Sequence, residues 1–597
     1  MRTTKDRVIF RPIREGMGMA TRSLVLAGSR GSAVFLFSLL FLGLAAIGCS
    51  DDNGDQAASE SGIEPWSGDP VAGTLLGAVR GFEDRSDTWL WKAIPFAKPP
   101  VGPLRWKAPQ DPDPWTGTRE VSEFCSPCTQ YFTFGDLVVG SEDCLYLNIW
   151  RPRSTEQNLP VYFWIHGGGN SIGAAAMGED YSGANLAARS NLVVVTVNYR
   201  LGPLGWFTHP ALRKGEPGTE RDDSGNYGTL DLIQALSWVR ENIEAFGGDP
   251  ARVLIAGESA GAMNVLSLLV SPVATDLFQR AMAESGGPFS SQVEEGEASA
   301  RDAILHLLVR DGTAADLTEA EVLLGGMTPP EIEAYLRSKP GEELLQGYEP
   351  SFGGMINSFP AVFEDGVVIP AGGFSTLQAG TYPNKVPVIL GSNQEELKLF
   401  FFADPSFSGR DDLYQIVTSY GSDFWKASGV DGVARALRSH ADQPDVYAYH
   451  FLWGAGGERG ESMIPDPWGF ILGSFHTLEI PFFFGNDTVD VLLQLLVFTE
   501  ENRPGREALS SAMMAYAARF VATGDPNEAG SGLPRWEPWS NDPDVPKCIL
   551  LDVDADQALD IRMSEAEFTE SGVLERMAAE VPEPLYSEAL SYLTGWW

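Results

Sequence analysis

Apolar residues along this chain fall into runs broken by polar, glycine-rich stretches, and the period of each run predicts its element. Pro160-Val161-Tyr162-Phe163-Trp164-Ile165 is apolar throughout, and residues 191–200 are nearly so. Such runs are the pattern of strands covered on both faces. From Leu145 to Trp150 apolar positions alternate, which predicts a strand with one buried face. Residues 228–239 carry apolar positions three and four apart, the spacing of a helix packed on a core. Val253-Leu254-Ile255 predicts another buried strand, and residues 262–269 behind it predict a helix. Strand, helix and strand therefore alternate up to residue 259, which argues for a mostly parallel sheet with crossover helices. No internal repeat interrupts this order.

Residues 73–81 alternate enough for an early antiparallel strand, whereas residues 93–106 are too proline-dense for a helix or central strand. That second stretch is expected to be extended and on the surface. Residues 386–390 and 446–453 predict two further strands, with His450 at a core position of the second. Residues 290–358 change character: charged, alanine-rich runs at 294–308 and 318–324 predict short surface helices. Residues 400–443 form a second candidate insertion.

Charge narrows the partner class. The chain carries 81 acidic against 42 basic residues, a formal charge of −39. Nucleic-acid binding rests on a Lys/Arg surface, so no nucleic-acid partner is expected. The acidity otherwise reads as a solvated surface. Residues 33–47 are an uncharged apolar run preceded by Arg22 and Arg30, shorter than the ~20 residues a membrane span needs. The run ends at Ala46-Ile47-Gly48-Cys49, which resembles a bacterial lipoprotein signal with Cys49 as the lipidated residue. Residues 1–48 are then a signal peptide, 49–70 a polar tether and 71–597 one folded domain. The protein is expected to be exported to the periplasm or cell surface, touching the membrane only through its N-terminal lipid anchor. Cys125 and Cys128 form a C-x-x-C pair, but no second pair or His cluster completes a zinc site. No metal is expected, and in an exported protein structural disulfides are the better reading.

The chemistry concentrates where the strand at 253–255 ends in Gly257-Glu258-Ser259-Ala260-Gly261 and runs straight into a helix. That context marks a nucleophile elbow, with flanking glycines making room and Ser259 lifted above the sheet edge. Upstream, the strand at 160–165 ends in His166-Gly167-Gly168-Gly169, a backbone-rich turn able to aim N–H groups at developing charge. A serine hydroxyl needs a base within reach. His440 lies at a solvated helix end and His450 in a strand, whereas His476 sits in a loop between Gly473 and apolar residues, as a base at a cleft would.

Residues 142–152, beginning Glu142-Asp143-Cys144-Leu145, and residues 246–261, running from Phe246-Gly247-Gly248-Asp249-Pro250 to the elbow, resemble the two signatures of the type-B carboxylesterase family. This is the cholinesterase-like branch of the α/β-hydrolases, and the resemblance runs from about Gly73 to Trp539. It implies an α/β-hydrolase fold with helices on both faces of the sheet and helical insertions capping an active-site gorge. It implies a serine carboxylesterase acting through an acyl-enzyme without a cofactor. Its oxyanion donors would be the N–H groups of Gly168, Gly169 and Ala260. His476 heads the family's His-x-x-Glu stretch, and Glu396 falls where the family has its acid, although Leu397 replaces the usual glycine after it. Asp365 is the rival acid, which the resemblance assigns to the framework. Glu258 is either a gorge carboxylate beside the imidazole or a structural group beneath the elbow. The resemblance pairs Cys128 with Cys144 and leaves Cys125 and Cys548 open. No Trp lies between Cys128 and Cys144, where cholinesterases carry one, so a general esterase of small-molecule esters is expected. A lipase for longer-chain esters and a non-catalytic binding protein are the alternatives.

Overall fold

The computed structural model describes residues 65–132, 137–176, 181–356, 359–456, 462–486 and 496–596. The signal run, Cys49 and most of the tether lie outside them. An eleven-stranded sheet organises the chain. Its strands are β1 Phe82–Asp84, β2 Thr88–Pro95, β3 Tyr146–Pro152, β4 Leu159–Ile165, β5 Val193–Val197, β6 Gly248–Glu258, β7 Arg280–Glu284, β8 Val388–Asn393, β9 Val446–Phe451, β10 Cys548–Leu551 and β11 Arg562–Ser564. Across the sheet they lie in the order β1-β2-β3-β5-β4-β6-β7-β8-β9-β10-β11. Every neighbouring pair from β5–β4 to β9–β10 is parallel. The strands at both edges are antiparallel.

The continuously apolar strands are buried on both sides, and their period of two divides them between two cores. Val161, Phe163, Ile165, Val193, Val195, Val253 and Ile255 face one core. Tyr162, Trp164, Val194, Leu254 and Ala256 face the other. The crossover helices are α1 Ala184–Ser190, α2 Tyr227–Asn242, α3 Ala260–Val270 and, near the C-terminus, Arg503–Thr523. α2 and α3 give their apolar stripes to the first core, whereas α1 and the Arg503–Thr523 helix pack on the second.

Three local expectations change. Residues 73–81 are not one strand but a hairpin, Val71–Thr74 against Gly77–Arg80, folding back at Leu75-Leu76. The proline-dense stretch begins inside the sheet: Ile94 and Pro95 close β2 after a shift of register between Trp91 and Ile94. Proline is tolerated there as the strand's last paired residue. Phe96, Ala97 and Trp106 are buried as well, so only part of the segment is surface. Strand β7 has no apolar run long enough to announce it, since its sequence is Arg-Ala-Met-Ala-Glu.

The first insertion contains the helices α4 Val293–Arg310, α5 Leu317–Gly326 and α6 Pro329–Ser338, with a satellite core of their own. α4 is 18 residues long, closed at its start by a Gln292/Glu295 capping box. The second insertion holds α7 Asp411–Trp425 and α8 Gly432–Arg438.

Candidate active site

β6 delivers Glu258, and the chain turns at Ser259 with φ 58° and ψ −123° before α3 starts at Ala260. A non-glycine residue at such a φ costs roughly 1–3 kcal/mol and persists only where its surroundings fix it. Here the Ser259 N–H donates to the Glu284 carbonyl at the end of β7, 2.9 Å away. A Cβ on Gly261 would fall on the Ile165 carbonyl oxygen, so glycine alone lets α3 start this close to β4. The Ser259 side chain stays half-exposed.

The turn after β4 lies against this elbow. Gly168 and Gly169 have φ of 100° and 61°, and the Gly168 carbonyl accepts the N–H groups of Ser171 and Ile172 at 3.1 and 3.0 Å. A Cβ on Gly167 would stand 3.0 Å from Ser259 Cβ. Among the described residues the N–H groups of Gly168, Gly169 and Ala260 donate to no protein acceptor. Tyr199 anchors the turn, its hydroxyl donating to the His166 carbonyl at 2.7 Å while its ring stacks on the imidazole. Burial pulls His166 down to about 4, so it is a neutral support at physiological pH.

His476 Nδ1 lies 2.6 Å from Glu396 Oε2, and its Nε2 lies 3.0 Å from Glu258 Oε1. The first contact is a hydrogen bond. The second is an ionic approach off the hydrogen-bond line, so Nε2 and Oε1 keep no hydrogen-bond partner among the described residues. Nor does Ser259 Oγ bond Nε2: in this state the imidazole faces the glutamate next to the serine.

A polar web fixes the acid side. Glu396 Oε1 accepts the Asn393 N–H at 2.7 Å. The Asn393 amide donates to the Phe475 carbonyl at 2.7 Å and to Glu479. Ser285 Oγ in turn donates to Glu479 Oε1 at 2.7 Å. Burial alone would depress the His476 pKa, but the Glu258, Glu396 and Glu479 carboxylates outweigh it and lift the group to about 9. Desolvation pushes Glu258 and Glu284 well above the usual carboxylate range and carries Glu479 to about 7.

The remaining candidates separate cleanly. Asp365 accepts the N–H groups of Val367, Val368 and Ile369 and the Asn226 amide, which makes it a turn-forming framework residue. His450 is held neutral at about 3 by desolvation and the Lys426 ammonium. His440 Nε2 lies 3.0 Å from the Leu377 and Gln378 carbonyls. Leu397, standing where glycine was expected, is buried against Gly421 of α7, whose missing side chain leaves it room. Cys128 and Cys144 are disulfide-bonded, and no disulfide joins Cys125 to Cys548. Among the described residues no group of three or more His, Cys, Asp or Glu side chains is arranged to hold a metal ion.

Both insertions reach the site. The Met355 sulfur packs on Gly169, and the Ile356 N–H donates to Ser171 Oγ at 3.1 Å. From the second insertion, the Phe400 and Trp425 rings lie 5.1 and 5.0 Å from that of His476. Sequence reasoning missed Glu284, Ser285, Asn393, Trp425 and Met355. Glu479, the closing residue of the His-x-x-Glu stretch, was visible but not assigned.

The sheet order, the crossover helices and the strand–Ser259–helix elbow define an α/β-hydrolase. The family model described as the carboxylesterase family matches residues 68–423 and 408–560. The para-nitrobenzyl esterase of Bacillus subtilis is 31% identical over 501 residues, 78% of this chain and 92% of that protein. The human cocaine esterase is 31% identical over 526 residues, 78% of this chain and 84% of that one. Among solved structures, a PNB esterase superposes with a TM-score of 0.63 at 28% identity, covering 83% of this chain and 97% of that one. The carboxylesterase EST55 of Geobacillus stearothermophilus, at pH 6.8, gives 0.62 at 30% identity, covering 83% and 98%. The chain belongs to the carboxylesterase family and is a carboxylic-ester hydrolase.

Proposed function

We propose that the protein hydrolyses small-molecule carboxylic esters through Ser259, His476 and Glu396. Ser259 Oγ attacks the ester carbonyl carbon while His476 Nε2 takes its proton, and Glu396 holds the imidazole at Nδ1 and stabilises its charged form. The N–H groups of Gly168, Gly169 and Ala260 receive the oxyanion. The alcohol leaves with the proton from Nε2, and water, deprotonated by the same nitrogen, hydrolyses the acyl-enzyme. The observation that carries this reading is the placement of His476: one nitrogen is bound by Glu396 and the other faces the elbow that carries Ser259. Nε2 turns from Glu258 to Ser259 when substrate enters.

The test is hydrolysis of short-acyl nitrophenyl esters by protein beginning near Ser50. Ser259→Ala is expected to lose on the order of 10⁴-fold or more in kcat, because the nucleophile, base and acid act as a unit. Retained turnover in that variant would refute the assignment. The N-terminus belongs to the same proposal, with residues 1–48 as a lipoprotein signal, Cys49 as the anchor and residues 71–597 as one exported hydrolase domain. A fatty-acid label that fails to enter the full-length protein, or that persists in Cys49→Ser, would remove the anchor from it.

A further inference from the structure

One long helical run crosses the second insertion, and it is not α-helical throughout. Between α7 and α8, residues Lys426–Asp431 form a π-helical segment. Such widened turns are rare and recur beside functional sites. In an α-helix, side chains five positions apart point about 140° away from each other, since each residue turns roughly 100°. A π-turn brings them into line. Lys426 and Asp431 are five apart, and Lys426 Nζ lies 2.6 and 2.7 Å from the two Asp431 oxygens. Their side chains are 1% and 0% exposed. This ion pair therefore requires the π conformation, and breaking it leaves a buried charge uncompensated. Asp431 Oδ2 also accepts the Phe568 N–H at 2.6 Å, and Lys426 Nζ sits 4.7 Å over the Phe568 ring, so the chain beyond β11 is fastened to the same turn.

The widened turn touches the site in two places. Trp425, the residue just before it, stacks on Phe400 at 5.9 Å and meets His476 at 5.0 Å. It is half-buried. Gly429, in the middle of the turn, approaches the Gly286 carbonyl so closely that a Cβ would overlap it. Gly286 follows Ser285 and lies against the Ser259 carbonyl and Ala262. The turn thus sets the aromatic wall beside the base and backs the loop beside the nucleophile.

We propose that Lys426 and Asp431 are positioning residues for the esterase site, holding the π-turn so that Trp425 forms a wall of the substrate cleft and limits the size of ester it admits. The proposal rests on the reading of Ser259 and His476 given above. Its measure is the ratio of kcat/KM for nitrophenyl hexanoate to that for nitrophenyl acetate, a quantity independent of how much of the preparation is folded. Lys426→Met combined with Asp431→Asn removes the ion pair without leaving a lone charge, and Trp425→Ala removes the wall. Both are expected to raise the ratio at least fivefold. A folded double variant with the wild-type ratio overturns the proposal. If the double variant does not fold, Trp425→Ala decides it, and an unmoved ratio there overturns it equally. A wild-type protein that cleaves neither ester refutes the assignment of Ser259, and this proposal falls with it. An active wild type with unmoved ratios refutes this proposal alone.

Discussion

His476 Nε2 stands 3.0 Å from Glu258 Oε1, the carboxylate of the residue immediately before Ser259. Two groups on one elbow therefore compete for one nitrogen. The arrangement bears directly on pH dependence, because only the unprotonated imidazole can take the serine proton. Burial opposes the charged ring, yet the surrounding carboxylates hold it protonated up to about 9, with Glu258 the strongest of them. kcat/KM should accordingly rise with pH through roughly that value. Burial raises Glu258 as well, so its charge is held only against the imidazolium; Glu258→Gln removes that counter-charge, lowers the imidazole pKa and moves the rising limb toward lower pH, by on the order of one unit. pH–rate profiles of both proteins check this, and superimposable limbs would show that Glu258 does not govern the base.

A second relationship concerns the support beneath the Gly168 turn. Arg200 and Asp231 form a fully buried pair at 2.7 and 2.8 Å, and the Arg200 N–H adds a third bond to the same carboxylate at 3.0 Å. Arg200 follows Tyr199, whose hydroxyl holds the His166 carbonyl. Asp231→Ala strands a buried guanidinium and is expected to cost about 3–5 kcal/mol of stability. Arg200→Met with Asp231→Leu should cost less than the single change. Chemical denaturation of the three proteins measures the order.

The Cys128–Cys144 disulfide joins positions 16 apart in the sequence. Closing a loop of that size restricts the unfolded chain and contributes about 3 kcal/mol in the chain-entropy account. Cys128→Ala with Cys144→Ala should lower the urea midpoint accordingly. Reductant should bring the wild type down to the same value and leave the double variant unmoved.

Much of this architecture was legible because strong local signals coincide with it. β4 is apolar throughout, β5 is apolar but for Thr196 and β6 carries the apolar run 253–256, and the elbow sits between a strand and a helix that each announce themselves. Glu396 was assigned through resemblance to a known motif, since nothing local distinguishes it from Glu395, whereas the choice of His476 also rested on its loop setting beside Gly473 and apolar residues. What stayed hidden is long-range. β7 is four ordinary residues and a glutamate, made a strand by its neighbours β6 and β8. Ser285 and Asn393 matter because Glu479 lies between them, 194 and 86 positions away respectively. The π-turn is invisible to periodicity, because a single widened turn barely disturbs the helical pattern of 411–438.

The donor turn offers the sharpest separation of binding from catalysis. Gly168 has a φ of 100°, a region closed to residues with a Cβ, and a methyl group there would strike the Ile172 carbonyl. Gly168→Ala must therefore shift the turn that presents the Gly168 and Gly169 N–H groups. In the proposed mechanism these groups contact charge that exists only in the transition state, whereas the proposed aromatic wall of the cleft lies elsewhere, on Phe400 and Trp425. The loss should then fall on kcat, on the order of 10²–10³-fold, with KM changed by no more than a few-fold. The Ser259 hydroxyl itself is retained, so stoichiometric labelling by an organophosphonate fluoride should persist at a reduced rate. A variant whose KM rises while kcat holds would mean that the turn binds ground-state substrate and that the oxyanion is received elsewhere.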